Sequence, residues 1–412
     1  MIRRLLSSTN ALCAAVLCSP RSTAFVIVSR AHNARYASKN ILPLDRPPDP
    51  SSFSSTIEDK VSGTSYVQQQ AMLLRNWMRD KRSIVCITGA GLSTESGIPD
   101  YRGNNGSYFR GHKPIIHHEF MSSPTHRKRY WARSLVGYSP FATAQPNLGH
   151  EALAKLETMG YIGVELEDCT DFELLGASCT GQLSGAYGDT SAVPRKISII
   201  TQNVDTLHSK AGVQHCLHLH GRGDLVRCMN CGHSRARKDY HEELIEWNHE
   251  WLNENAPGAN GGASSTGDKK ADLRPDGDAE LGQRVSYDEL ILPSCSRCGQ
   301  TNDEVHSQGD LQPFFKTDVV FFGDSVPKHR FGISNAAVDA ADGVLCIGTS
   351  LAVHSAFRLA KRAIENDTPV AILNVGQTRV EKEGLDSRLV TKLESPIGET
   401  LNELVNMLGR EE

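Results

Sequence analysis

Residues Gly343–Val375 read GVLCIGTSLAVHSAFRLAKRAIENDTPVAILNV. Gly343–Ile347 is a short apolar run of strand character, and Gly348-Thr349-Ser350 is a polar loop after it. Val353, Ala356, Phe357, Ala360 and Ile364 then recur at helical spacing. Pro369–Val375 is a second apolar run. Strand, loop, helix and strand within about thirty residues describe a βαβ unit, which implies a parallel sheet with a crossover helix.

The same grammar recurs upstream. Val67, Ala71, Leu74 and Met78 predict a helix running to about Asp80. Ile84–Thr88 predicts a strand ending at Gly89-Ala90-Gly91. Ile197–Thr201 and Val319–Phe322 predict two more short strands ending in polar loops. The expected fold class is therefore α/β, an open parallel sheet, with ligands at the carboxyl ends of the strands. Leu44–Ser65 is rich in Pro and Ser and reads as a linker. Glu165–Arg195 and Asn255–Lys270 read as insertions, and no internal repeat is found.

Composition narrows the class. The chain has 412 residues, 39% hydrophobic and 22% charged, with a net charge of −4. That is ordinary globular usage, with no long basic run to suggest nucleic acid. No segment approaches transmembrane length, so no membrane partner is expected. The first 44 residues contain no Asp or Glu but carry Arg3, Arg4, Arg21, Arg30, Arg35 and Lys39 among serines. Such a composition is that of an organelle transit peptide, and the mitochondrial matrix is the expected location. A secretory signal is the rival reading.

Four of the eleven cysteines form two pairs, Cys228-x-x-Cys231 and Cys295-x-x-Cys298. Two such pairs supply four thiolates for one tetrahedral zinc ion. With all four positions filled by protein, none is open to a water nucleophile, so the metal is structural.

Two polar segments carry the chemistry. Gly89-Ala90-Gly91-Leu92-Ser93 and Gly97-Ile98-Pro99-Asp100-Tyr101-Arg102 follow a strand, where backbone N–H groups can approach a phosphate. A plain turn between strand and helix is the bland alternative, since G-x-G-x-x-G is absent. Thr201-Gln202-Asn203-Val204-Asp205 closes another strand. Asn and Asp there can read an amide such as that of nicotinamide. A histidine near neutral pKa would be the proton acceptor. His215, His218 and His220 all qualify, and spacing alone does not choose among them.

Taken together these segments resemble the sirtuins, NAD-dependent protein deacylases. The matching runs are Gly89–Ser93, Gly97–Arg102, Thr201–His208, Leu219–Gly221, the two cysteine pairs, Phe321–Asp324, Gly348–Leu351 and Leu373–Val375, in the family's order. Lys128–Arg133, Gln145–Asn147, Pro275–Asp278 and Ala371–Gly376 look like the class II mitochondrial, sirtuin-4-like branch.

The resemblance implies a Rossmann-like open parallel sheet with a smaller inserted zinc-binding module. With the N-terminal composition, the chain divides into a transit peptide (1–44), a linker (45–65) and, by the resemblance, a catalytic domain (66–408). The nucleotide-binding part would be 66–110, 197–222 and 315–408, and the zinc module about 223–314. His220 would be the general base, with Asn203 and Asp205 beside it. Gly89, Ala90, Gly91, Ser93, Asp100, Tyr101, Arg102, Gln202, Gly348, Thr349, Ser350, Asn374, Val375, Gly376 and Ile397 would complete the NAD site. Tyr130 and Arg133, with Tyr108 and Arg110, are candidates for an acyl pocket, and a helix-surface role for all four is the bland alternative.

The implied reaction removes an acyl group from a protein lysine and gives nicotinamide and an O-acyl-ADP-ribose. Lipoyl, biotinyl or branched acidic acyls are expected over acetyl. Mitochondrial metabolic enzymes are the expected substrates. The rival readings are a protein mono-ADP-ribosyltransferase using the same NAD site and a non-enzymatic NAD-sensing zinc scaffold.

Overall fold

The structure is a computed structural model describing residues 65–103, 106–108, 111, 113–166, 195–256, 274–281, 285–298 and 313–410. The N-terminal segment 1–44, nearly all of the linker and of both expected insertions, and Arg110 lie outside the described residues.

In chain order, helix α1 (Tyr66–Met78) precedes strand β1 (Ile84–Thr88) and a 3₁₀ turn (Ala90–Ser96). Helices α2 (His117–Ser122), α3 (Pro124–Thr143) and α4 (Leu148–Thr158) follow. A two-stranded pair, β2 (Val164–Glu165) and β3 (Lys196–Ile197), leads to β4 (Ile199–Thr201), α5 (Leu207–Lys210) and β5 (Cys216–His218). Next come β6 (Gly221–Cys228), β7 (Ser234–Ala236), α6 (Arg237–Trp247), α7 (His249–Asn255) and β8 (Phe315–Val319). The chain ends with α8 (Lys328–Asp339), β9 (Gly343–Ile347), α9 (His354–Glu365), β10 (Val370–Leu373), α10 (Arg379–Lys382), β11 (Val390–Leu393) and α11 (Ile397–Leu408).

Six strands form one parallel sheet in the order β11-β10-β9-β1-β4-β5. Counted along the chain this is 3-2-1-4-5-6, the doubly wound order that leaves a crevice where the winding reverses. The reversal lies between β1 and β9, which pair from Ile84↔Gly343 to Thr88↔Ile347. Strand residues alternate between two cores because their side chains point to opposite faces. Val85, Ile87, Val344 and Cys346 pack with α8 and α9 residues such as Ile333, Ala337, Phe357 and Ala360. Ile84, Cys86, Leu345 and Ile347 pack with Leu74, Leu153, Leu156 and Leu404 of α1, α4 and α11. Helix α1 begins where Ser65 and Gln68 close a reciprocal capping box.

The expected strand Val319–Phe322 is a correction. Strand β8 runs Phe315–Val319 and joins β6 and β7 in a separate antiparallel sheet. Phe322 makes only an isolated bridge to Ile116. The reason is packing: Phe315 is buried, and its carbonyl accepts a hydrogen bond from Trp131 Nε1 at 3.0 Å. Residues 315–319 thus belong to the small module, as does α3, whose Tyr130, Trp131 and Leu135 share that module's core with Tyr240, Phe315 and Phe321.

Candidate active site

The carboxyl ends of β1, β4 and β9 open into one cleft of about 700 Å³. That volume is within the range of small-molecule and cofactor sites. Every nucleotide-site residue expected from the sequence lines it except Ile397. Ile397 opens α11, and its Cδ1 stands 3.1 Å from where a Cβ on Gly348 would be. It supports the β9 loop from behind and does not face the cleft.

The glycines of the two facing loops are required by each other. A Cβ on Gly89 would sit 2.7 Å from Thr349 Cβ, and one on Gly91 would sit 2.9 Å from the Gly348 carbonyl oxygen. The Gly91 amide donates to that carbonyl at 2.9 Å. Gly348 has φ +58°, and a Cβ there would meet the Leu92 amide nitrogen at 2.4 Å. The two loops therefore touch backbone to backbone at the reversal point, where a phosphate can approach their N–H groups.

The TQNVD segment ties the loops together. Gln202 Nε2 donates to Thr349 Oγ1 at 2.9 Å. Asn203 Nδ2 donates to the Gly89 carbonyl and to Ser93 Oγ, each at 3.1 Å. Ser93 Oγ donates in turn to Asp205 Oδ2 at 2.6 Å. Asp205 is buried, and its desolvation raises the carboxyl pKa above the ordinary value, opposed by the Ser93 and Leu207 hydrogen bonds.

The three candidate histidines part company. His215 contributes main-chain bonds, including its amide to Glu157 Oε1 at 2.9 Å. His218 ends β5 and is buried, with neither ring nitrogen hydrogen-bonded among the described residues. His220 alone of the three lines the cleft. Its Nδ1 stands 3.2 Å from the Gln202 carbonyl oxygen and its Nε2 2.8 Å from Ser355 Oγ. A carbonyl only accepts, so Nδ1 carries the proton and Nε2 offers its lone pair. Burial pushes the ring down to about 4, opposed by the Gln202 bond. The near-neutral value expected from the sequence is thus corrected by desolvation. The ring is unprotonated at pH 7, as a base must be.

The acyl-pocket candidates fare differently. Tyr130 is buried, its hydroxyl 2.7 Å from Thr317 Oγ1, and burial raises its phenol far above the ordinary value. Arg133 is buried 3.6 Å from the Asp278 carboxylate. Neither lines the cleft. Both lie on the inward face of α3, so they serve the small module's core and not the acyl group. Tyr108 rests against Tyr101 and Phe322, at 5.7 and 6.3 Å between ring centroids, and is likewise outside the lining. Sequence reasoning missed Ser355, which is 135 positions from His220 and carries no spacing signal. It also missed Lys328, Phe331 and Arg358, which line the cleft from α8 and α9.

The cysteine pairs meet as expected. Cys228 closes β6, and Gly232 (φ +72°) makes the turn back toward β7. The four sulfurs lie within 4.8 Å of one another, with Cys228–Cys298 at 3.7 Å and Cys231–Cys295 at 3.8 Å. Tetrahedral Zn–S bonds of about 2.3 Å require sulfurs about 3.8 Å apart. The residues fit a structural zinc ion.

Comparison with known proteins agrees with this geometry. Residues 89–166 and 190–355 match the family model described as the Sir2 family. NAD-dependent protein deacetylase 2 of Bradyrhizobium diazoefficiens is 35% identical over 308 residues, 75% of this chain and 89% of that protein. The NAD-dependent protein deacylase SIR4 of Monosiga brevicollis is 35% identical over 83% of this chain and 90% of its own. A solved Sir2 structure with a deacetylated p53 peptide and 3'-O-acetyl ADP ribose shares the fold, with TM-score 0.53, 22% identity, and coverage of 82% of this chain and 98% of that one. The chain belongs to the Sir2 family, the NAD-dependent sirtuins.

Proposed function

We propose that this protein removes acyl groups from protein lysines, with NAD consumed in the reaction. The observation that carries the reading is His220. Its Nδ1–H is fixed by the Gln202 carbonyl and its Nε2 lone pair is beside Ser355 at the cleft wall, one segment from Asn203 and Asp205. NAD supplies the ribosyl group that accepts the acyl, with nicotinamide leaving. Asn203 and Asp205, locked through Ser93 and Gly89, orient the nicotinamide amide and ribose. The Gly89–Gly91 and Gly348–Ser350 loops hold the phosphates. His220 Nε2 takes the proton of a ribose hydroxyl, freeing that oxygen to take the acyl group. Water then completes release of lysine and O-acyl-ADP-ribose.

The acyl group we propose is long or branched, with lipoyl and biotinyl ahead of acetyl. Support comes from the sirtuin-4-like runs at Lys128–Arg133, Pro275–Asp278 and Ala371–Gly376, and from apolar cleft residues Ile98, Val319 and Phe321. The acid-free N-terminal segment supports mitochondrial residence, and metabolic enzymes are the substrates we propose with it. The test is a panel of acyl-lysine peptides with labelled NAD and zinc-loaded protein. Soluble labelled O-acyl-ADP-ribose supports deacylation, while label left on protein supports ADP-ribosyl transfer. Acetyl as the best substrate would refute the acyl preference. NAD binding without turnover on any peptide would leave the sensor reading standing.

A further inference from the structure

We propose that Lys328 and Arg358 form a carboxylate-reading rim beside the base, so that the enzyme favours acyl-lysines flanked by Asp or Glu in the substrate chain. The inference rests on the deacylase reading above.

Ser355 and Arg358 are three residues apart on α9, which puts them on one side of its first turn. Ser355 touches His220, so Arg358 is one helical turn from the base. Lys328 and Phe331 have the same spacing on α8, which packs against α9. The Arg358 guanidinium lies 4.1 Å from the Phe331 ring centroid, close enough for a cation–π contact. Both cations are exposed, and both line the cleft. Lys382 lines the same cleft and adds to its positive potential.

Neither Lys328 nor Arg358 has a carboxylate partner among the described residues. The nearby acids are already engaged. Asp324 is 3.0 Å from His117 Nδ1, and Glu383 is 2.6 Å from Arg379 Nε. The whole chain carries a net charge of −4, so this concentration of positive charge is local. A guanidinium held by an aromatic ring presents a planar fork that suits a carboxylate. Within the one cleft the two cations are exposed, whereas Ile98 and Phe321 are buried and offer the apolar wall against which an acyl chain would be held. A carboxylate meeting the rim therefore comes from a neighbouring side chain of the substrate and not from the acyl group.

The test compares three peptides on the zinc-loaded enzyme with NAD. One carries a neutral acyl-lysine flanked by Glu, the second the same with Gln, and the third an acidic acyl-lysine flanked by Gln. The expected kcat/KM ratio of Glu to Gln peptide is about fivefold at low salt, the scale of an exposed charge pair, and it shrinks as salt screens the rim. In the double variant Lys328→Gln, Arg358→Gln the ratio falls to about one. Three results would overturn the proposal. One is a wild-type ratio near one, or a ratio that survives in the variant. Another is loss confined to the acidic-acyl peptide. The third is a raised KM for NAD that is the same with both neutral-acyl peptides, which would assign the rim to the nucleotide. If no peptide turns over, the deacylase reading itself has failed. The rim is then judged by fluorescence anisotropy of the Glu and Gln peptides on wild type and variant, with the same ratio expected.

Discussion

Ser355 Oγ and His220 Nε2 lie 2.8 Å apart although 135 positions separate them in the chain. With Nδ1–H engaged by Gln202, the serine hydroxyl donates to the lone pair that must accept the ribose proton. That donation favours the neutral ring, and the methylene beside it shields the ring from water. Ser355→Ala removes the hydroxyl and keeps that carbon, and loss of the donor alone raises the pKa. The acid limb of the kcat/KM profile is expected near pH 4 in wild type and to move upward in the variant, with burial still holding it below the free value. His220→Ala is expected to cost roughly 100-fold or more in kcat, with NAD binding retained. Coincident profiles for wild type and Ser355→Ala would show that the hydroxyl does not tune the base.

Tyr130 and Arg133 yield a prediction about stability and not specificity. Tyr130→Phe loses the hydroxyl bond to Thr317 and should cost about 1 kcal/mol in denaturant unfolding. Arg133→Ala leaves buried Asp278 without its nearest cation and should cost about 3 kcal/mol. The relative rates across an acyl-peptide panel should not change in whatever fraction remains folded. A changed acyl ranking would return these residues to the pocket.

Gly348→Ala puts a methyl group 2.4 Å from the Leu92 amide nitrogen at a residue with φ +58°. Strain and clash together should cost about 3 kcal/mol or separate the two loops. We expect a lower melting temperature and a KM for NAD raised about tenfold or more. Gly97→Ala is the control for backbone strain alone, since a Cβ there meets nothing within 4 Å although φ is +82°.

Zinc removal should act through structure. Chelation, or Cys231→Ser, is expected to change the near-ultraviolet circular dichroism of the small module, where Trp131 and Trp251 share one core. Activity should fall with the same dose dependence, and zinc should restore both. Loss of activity with an unchanged spectrum would contradict a structural metal.

Acid should destabilise the fold before its carboxylates titrate. His150, His218 and His220 are held near 4 by burial, against about 6.5 when unfolded. The unfolded chain binds protons first, so stability is complete above pH 6.5 and is lost as pH falls toward 4. His218 alone should cost on the order of 2 kcal/mol at pH 5. A melting temperature that is flat from pH 7 to 5 would refute this.

Local periodicity made much of the fold legible. The βαβ stretch appears in the structure as β9, α9 and β10 within a residue or two. The glycine turns, the TQNVD segment and the cysteine pairs are short runs whose chemistry is local, and each meets its partners in the cleft or the metal cluster. What escaped the sequence was contact across long separation. Tyr130 and Arg133 have the residue types of an anion site, but α3 turns them inward onto Thr317 and Asp278. Ser355 falls next to the apolar face of α9 and gives no sign of its histidine. The run Val319–Phe322 has strand character, yet the pull of Trp131 on Phe315 starts the pairing four residues earlier and in the other sheet.

Strand β6 begins at Gly221, immediately after the base, and ends at Cys228, a metal ligand. Alongside it, the Val320 amide donates to the His220 carbonyl at 2.8 Å, so the neighbouring crossing of the chain grips the same point. A single extended segment thus ties the metal knuckle at one end to the proton acceptor at the other. Cys231 is exposed, and an oxidant that sprang the knuckle would blunt the enzyme without ever entering the cleft.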